Sequence, residues 1–171
     1  MAADLRDEDP MRRAIEASVA ALDAGDMPNG AALVSAQGDM LMVAGNRQVT
    51  SGDCTAHAEV VLIREASARL GPAALRGATV YASGEPCAMC SGALFWAGVR
   101  RVVYAASSGV MADLFGGDLL PIRCAQVLAD ANPPVQVDGP VGAAAALVVL
   151  REAAERRRWP APPSCPGAAP A

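Results

Sequence analysis

Histidine is almost missing from this chain: its 171 residues hold one, His57. Aromatic side chains make up only 4%, so a core has to be built from Ala, Val, Leu, Ile and Met. There is no basic excess either, with 14 Lys and Arg against 18 Asp and Glu, a net charge of −4 and a sequence pI of about 4.9. Nucleic-acid binders gain affinity from a basic face that displaces counterions from phosphates. That balance argues against a nucleic-acid partner, and the short run Arg156-Arg157-Arg158 reads as a solvated helix face. Long apolar runs are absent, the Ala-rich stretch from Val141 to Leu150 being too short for a bilayer. The segment Met1 to Pro10 is acidic and lacks the apolar centre of a secretory signal. These absences set the expectation of a cytoplasmic protein with no membrane partner. Five cysteines, an odd number, are then expected to be thiols or metal ligands rather than disulfides.

What is present fits one domain, expected over residues 1–159, followed by a disordered Pro- and Ala-rich tail over 160–171. Met11, Ile15, Val19 and Leu22 recur at helical spacing before Gly25. Met27-Pro28-Asn29-Gly30 reads as a turn. Ala31 to Ser35 and Met40 to Ala44 flank Gln37-Gly38-Asp39 as a hairpin, and Gly45 to Asp53 reads as a polar loop. A helix is expected from Thr55 to Leu70, with Thr55 as its cap. A strand over Ala78 to Ala82, a helix over Cys87 to Trp96 and a buried strand over Arg101 to Ala106 follow. The Gly-rich stretch Ser107 to Leu120 is expected to be irregular. Pro121 suits a first helical turn running on through Ile122 to Ala131, Val135 to Val137 a strand, and Ala143 to Arg158 a final helix. The order implies a three-layer α/β/α sandwich around a five-stranded mixed sheet, with strands four and five parallel across a helical connection.

The informative residues are His57-Ala58-Glu59 and Pro86-Cys87-Ala88-Met89-Cys90. Alone, a single His is more often packed or exposed than ligating, and Cys-x-x-Cys is as readily a redox pair. Together they form the H-x-E…P-C-x-x-C pattern of zinc deaminases. Each half opens a predicted helix, whose free N–H groups and positive partial charge favour thiolates. One imidazole and two thiolates leave zinc a fourth position for water, whose pKa falls towards ~7. Glu59, two residues from His57, is too near to ligate the same ion comfortably and suits a proton shuttle beside it.

On these residues the chain resembles the cytidine deaminase-like superfamily, from Pro28 to about Tyr104. Pro28-Asn29-Gly30-Ala31 is similar to the P-x-G-A of its purine and tRNA branch. Asp53-Cys54-Thr55-Ala56-His57-Ala58-Glu59 resembles D-P-T-A-H-A-E, and Glu85-Pro86-Cys87-Ala88-Met89-Cys90-Ser91-Gly92-Ala93 resembles E-P-C-x-M-C-x-G-A. The resemblance implies one Zn²⁺ per chain, a homodimer, and hydrolytic removal of an exocyclic amine from a nucleobase-like ring. Hydroxide generated at the metal would attack the amine-bearing carbon. It implies a substrate pocket formed with Asn46, eleven residues before His57, and with Ala58, Glu85, Pro86 and Trp96. Asn46 would equally suit a plain turn. Gly92 to Ala97 and Val103 to Ala106 are most like bacterial guanine deaminases. That likeness places a purine-contacting acid at Asp118, or less well at Asp113, each otherwise a solvated loop acid. The expected substrate is therefore a small heterocycle, guanine first among the candidates.

Departures qualify this. Cys54 stands where the family has Pro, Gly84 replaces a larger residue, and the aromatic C-terminal segment of guanine deaminases is missing. A tRNA adenosine deaminase is the alternative, weakened by the acidic pI and by the lack of its Gly-Ala-acid-Lys element at Ala105 to Gly109. A cytosine or nucleoside deaminase is a further alternative. A structural zinc-binding interaction module is the non-enzymatic one, and it has no use for Glu59.

Overall fold

The structure, a computed structural model, describes residues 5–116 and 120–156. Helix α1 (Leu5–Ala24) leads into strands β1 (Gly30–Val34) and β2 (Met40–Gly45), a short helix α2 (Gln48–Ser51) and helix α3 (Ala58–Leu70). A 3-10 turn (Pro72–Leu75) precedes β3 (Thr79–Gly84), α4 (Ala88–Ala97), β4 (Arg101–Ala106) and α5 (Ser108–Phe115). Helix α6 (Cys124–Val127), β5 (Gln136–Asp138) and α7 (Ala143–Glu155) complete the order. The sheet runs β2-β1-β3-β4-β5. β1 is antiparallel to β2 and β3, whereas β3, β4 and β5 are mutually parallel. This is the expected mixed sheet, with strands four and five parallel across a helical connection.

Alternation along the strands builds the layers. Ala31 and Leu33 of β1, with Val80 and Val102, pack against Leu62, Ala66, Leu94 and Cys124 from α3, α4 and α6. Ala32 and Val34, with Tyr81 and Val103, face Met11, Ala14, Ala146 and Leu150 from α1 and α7. Fully buried Leu33, Leu62, Val80 and Val102 each contribute about 1.5–3 kcal/mol of transfer free energy. Contact between α1 and β1 is close: a Cβ on Gly30 would stand 2.2 Å from the Ala14 carbonyl oxygen. Only glycine permits that approach.

Several boundaries differ from expectation. α1 starts at Leu5 rather than Met11 and carries Pro10 inside it. The polar loop after β2 contains α2, whose first turn is held by the buried Asp26: its carboxylate accepts from Val49 N (2.8 Å), Thr50 N (2.9 Å) and Thr50 Oγ1 (2.6 Å). α3 is capped at His57, not Thr55, because the Thr55 hydroxyl and N–H both donate to Asp53. The stretch after β4 is helical over Ser108–Phe115, with Ser107 accepting from Val110 N at its start. Conversely, only Cys124–Val127 of the helix expected over Ile122 to Ala131 forms. The last helix ends at Glu155; Arg157, Arg158, Asp118 and the 160–171 tail lie outside the described residues. Among the described residues no helix is long and apolar enough to cross a membrane.

Candidate metal centre and active site

Two helix starts converge at the C-terminal end of β3. His57 is the N-cap of α3 (φ −63°, ψ 151°) and Cys87 the N-cap of α4 (φ −67°, ψ 174°), and neither side chain caps its own helix. Both are thus extended residues with side chains available elsewhere. α3 and α4 lie side by side on one sheet face, so their first turns meet. Cys87 Sγ stands 3.7 Å and Cys90 Sγ 3.5 Å from His57 Nδ1. All three donor atoms lie within 4.8 Å of one another. A tetrahedral zinc with its usual Zn–S and Zn–N bond lengths sets a nitrogen–sulfur separation of ~3.5 Å. The donor set, its chemistry and its spacing therefore fit zinc.

The electrostatics fit as well. The Cys90 thiol, hydrogen-bonded to Cys87, holds the Cys87 thiol down to about 4 against the cost of burial, with His57 assisting. Cys90 moves up, because Cys87 occupies that hydrogen bond and burial disfavours a second thiolate. The pair gives up one proton readily and the second only to a cation, as a metal-binding dithiol should. Burial disfavours the His57 imidazolium, but the Cys87 hydrogen bond and the charges of Cys87 and Glu59 outweigh it, so its pKa rises.

Glu59 sits in the first turn of α3, 6% exposed. Burial raises its carboxyl above the usual range, opposed by its own backbone N–H and by His57. It is not one of the three clustered donors. A buried carboxyl with raised proton affinity beside a metal-ligand cluster has the properties of a proton carrier.

The other sequence-selected residues divide. Asn46, 3% exposed, lies at the end of β2; its Oδ1 accepts from Gln48 N and its Nδ2 donates to Gln48 Oε1, both at 2.9 Å. Arg47 N donates to Ala56 O (2.9 Å), which ties this turn to the segment before His57. Ala58 and Pro86 are buried beside the ligands. The Glu85 side chain is engaged within the protein: it accepts from Ser108 N (2.9 Å) and Cys124 N (3.2 Å) and pairs with Arg123 (3.1 Å). It fastens the starts of α5 and α6 behind the cysteines. Trp96 is 84% exposed at the end of α4, edge-on to Phe95. Asp113 is exposed on α5. Asp118 lies outside the described residues.

Sequence reasoning missed Asp26, which holds α2 and with it the Asn46 turn, and Ser91, whose hydroxyl donates to Cys87 O (2.9 Å). An isolated Asp before a Pro-Asn turn gives no sign of partners more than twenty residues away. A groove of about 790 Å³ around Asp7, Thr79, Tyr81 and Arg101 lies at the opposite end of the sheet and holds none of these residues.

Residues 5–106 match the cytidine and deoxycytidylate deaminase zinc-binding region. A probable cytosine deaminase of Schizosaccharomyces pombe is 39% identical over 137 residues, 76% of this chain and 81% of that protein. A tRNA-specific adenosine deaminase of Bacillus subtilis is 41% identical over 101 residues, 59% of this chain and 62% of its own length. The chain thus spans less than two thirds of that second relative. The solved structure of a guanine deaminase from Nitrosomonas europaea superposes with a TM-score of 0.75 at 26% identity, covering 90% of this chain and 86% of that one.

Proposed function

The chain belongs to the cytidine and deoxycytidylate deaminase zinc-binding family and is a zinc-dependent hydrolase of C–N bonds; from that premise we propose that it deaminates a free amino-purine or related amino-heterocycle, with guanine to xanthine and ammonia as the leading reaction. The observation that carries the chemistry is the convergence of His57, Cys87 and Cys90 beside buried Glu59. The likeness to a guanine deaminase over 90% of the chain supports the purine assignment. The net charge of −4 favours a small ring over a tRNA.

In this reading His57 Nδ1, Cys87 Sγ and Cys90 Sγ hold the zinc, which when bound supplies the Lewis acidity that activates water at neutral pH. Glu59 accepts a proton from the attacking water and delivers it to a ring nitrogen. It then passes the water's second proton to the departing amine. The carbon gains oxygen and loses nitrogen, so one proton ends on the ring nitrogen and one on ammonia. Ser91 and Glu85 keep the α4 start and its flanking helices in place.

The direct test is ammonia release by zinc-loaded protein from aminopurines, pterins, triazines, cytosine and cytidine. Turnover of guanine above the others is the expected result, and silence across the panel would end the proposal. Cytosine turnover without guanine turnover would move the substrate to the pyrimidine class of the Schizosaccharomyces pombe relative. Salt-sensitive binding of a tRNA anticodon stem would favour the adenosine reading instead.

Homodimerisation belongs to the same reading. Met89 and Trp96, two turns apart on α4, are 38% and 84% exposed, and the Gly92 position between them is open. Trp96→Glu is expected to shift a dimer to monomer in sedimentation; a parent protein that sediments as a monomer refutes this part.

A further inference from the structure

We infer that Asn29 reads the lactam edge of the substrate ring, meaning an adjacent ring N–H and carbonyl; the inference rests on the deaminase reading above. Three strands place the residue. The β1–β2 register pairs Ala31 with Ala44 and Gly30 with Gly45, so the next rung sets Asn29 beside Asn46. Asn46 N indeed donates to Asn29 O at 2.9 Å. The β1–β3 register pairs Ala31 with Ala82, and two rungs on Asn29 meets Gly84. Rungs alternate in direction. Cβ atoms on Gly30 and Gly45 would run into α1, at Ala14 O and Ala17 O. The Asn46-Asn29-Gly84 row therefore points away from α1, at the end of the sheet where α3 and α4 begin with His57 and Cys87 and where Met111 of α5 also reaches. Gly84 stands three residues before Cys87 in the chain.

Gly84 explains how Asn29 fits. It is not among the glycines with positive φ, so its backbone would accept a side chain. The space would not: a Cβ there would stand 2.9 Å from Asn29 Oδ1 and 2.7 Å from Met111 Sδ. The bare backbone at position 84 is what admits the Asn29 carboxamide into the row.

That carboxamide is uncommitted. Its neighbours are engaged: Asn46 with Gln48, Ser83 with Gly30 N, and Glu85 with Ser108, Cys124 and Arg123. The Asn29 backbone donates to Met27 O and accepts from Asn46 N, yet among the described residues its half-buried side chain makes no hydrogen bond. A carboxamide presents one donor and one acceptor side by side. Its complement on a ring is either an amidine edge or a lactam edge. The amidine edge carries the amine to be removed and must turn to the metal, which leaves the lactam edge for Asn29.

Guanine carries that edge; 2-aminopurine shares the 2-amino group and lacks it. Zinc-loaded full-length protein is compared with Asn29→Leu, which is nearly isosteric and apolar, and with Asn29→Asp, which loses the donor. The readouts are kcat and KM on both rings, equilibrium binding of both rings in a Glu59→Gln background, and zinc content. Asn29→Leu is expected to lower kcat/KM for guanine about 10- to 100-fold, the scale of one bidentate amide contact. The loss should fall mainly on KM, with far less change for 2-aminopurine and the same split in binding. If Asn29→Leu loses its zinc, Asn29→Asp carries the comparison, with the same selective loss expected. Equal losses on both rings, or no loss on guanine, overturn the inference. A parent that turns over only rings without a lactam edge overturns it while leaving the deaminase reading intact; a parent that binds and hydrolyses no ring removes both.

Discussion

Replacing Glu59 by Gln isolates the proton-carrying step from everything else at the site. The substitution keeps size and shape and removes the ability to take and return a proton. Glu59 is not one of the three clustered donor atoms, so zinc content should stay at one per chain. Positioned acid–base catalysis contributes about 10²- to 10⁴-fold, or roughly 2.7–5.5 kcal/mol of barrier. Loss of kcat in that range, with the metal retained, is the expected result in an ammonia assay paired with elemental analysis. Stability gives a second reading in metal-free protein. Burial raises the carboxyl of Glu59 in the folded state, so the fold binds this proton more tightly than the unfolded chain does. The stabilisation is complete below the unfolded value of ~4.3 and is lost as pH rises through the folded value. Gln carries no such penalty. Metal-free Glu59→Gln should therefore melt higher than the parent at neutral pH, and the gap should narrow as pH falls towards ~4. More than a tenth of parental kcat remaining, loss of zinc, or a lower melting temperature at pH 7 would each refute the reasoning.

Other outcomes test the frame around that step. With its thiol held down to about 4, Cys87 in metal-free protein should react with iodoacetamide at a rate nearly flat from neutral pH to about pH 5 and falling below it. Cys124, pushed up to about 11 by burial, and Cys90 should stay unlabelled at pH 6; mass spectrometry that finds Cys87 following an ordinary thiol profile contradicts the paired-thiol picture. Glu85→Ala leaves the buried Cys124 N–H and the half-buried Ser108 N–H without their acceptor, while Arg123, itself 39% exposed, keeps its water. It should cost about 2–4 kcal/mol in denaturant unfolding, the scale of the two N–H groups left unpaired, with Glu85→Gln milder; a loss under about 1 kcal/mol would show the three contacts to be incidental.

How much of this was legible in the sequence follows from how local each signal is. The strands of the sheet and the bodies of α3 and α4 show as periodicity and short motifs, because the residues that cause them are sequence neighbours; the cap of α3 at His57 rather than Thr55 does not. α5 was hidden behind Gly109 and Gly116, although Val110, Met111, Leu114 and Phe115 carry a helical stripe and Ser107 a cap. The apolar spacing begins at Met11, yet α1 starts at Leu5 and runs through Pro10. α2 was illegible in principle, since four residues have no periodicity and Asp26 reaches them from 23 and 24 positions away. The contacts of Glu85 are equally hidden: it sits in a catalytic motif, and its motif position gives no hint of Ser108, Arg123 and Cys124, which take up its carboxylate.

The two asparagines show the same division at the level of specificity. The family resemblance points to Asn46, eleven residues before His57, and the structure has its amide already held by Gln48. Asn29 reads in the sequence as a turn residue, and among the described residues its amide has no hydrogen-bond partner. A pocket that must distinguish similar rings needs a polar group that is fixed in place and still free to pair with a ligand. Asn46 is fixed first and can offer only what Gln48 leaves; Asn29 is fixed through its backbone, and among the described residues nothing takes its side-chain donor or acceptor. Its freedom depends on Gly84, since any larger residue there would compete with Asn29 Oδ1 and Met111 Sδ for one volume. On the inference above, selectivity among rings then depends on the glycine that ends β3 and the asparagine that precedes β1, which are far apart in the chain and meet only through the sheet.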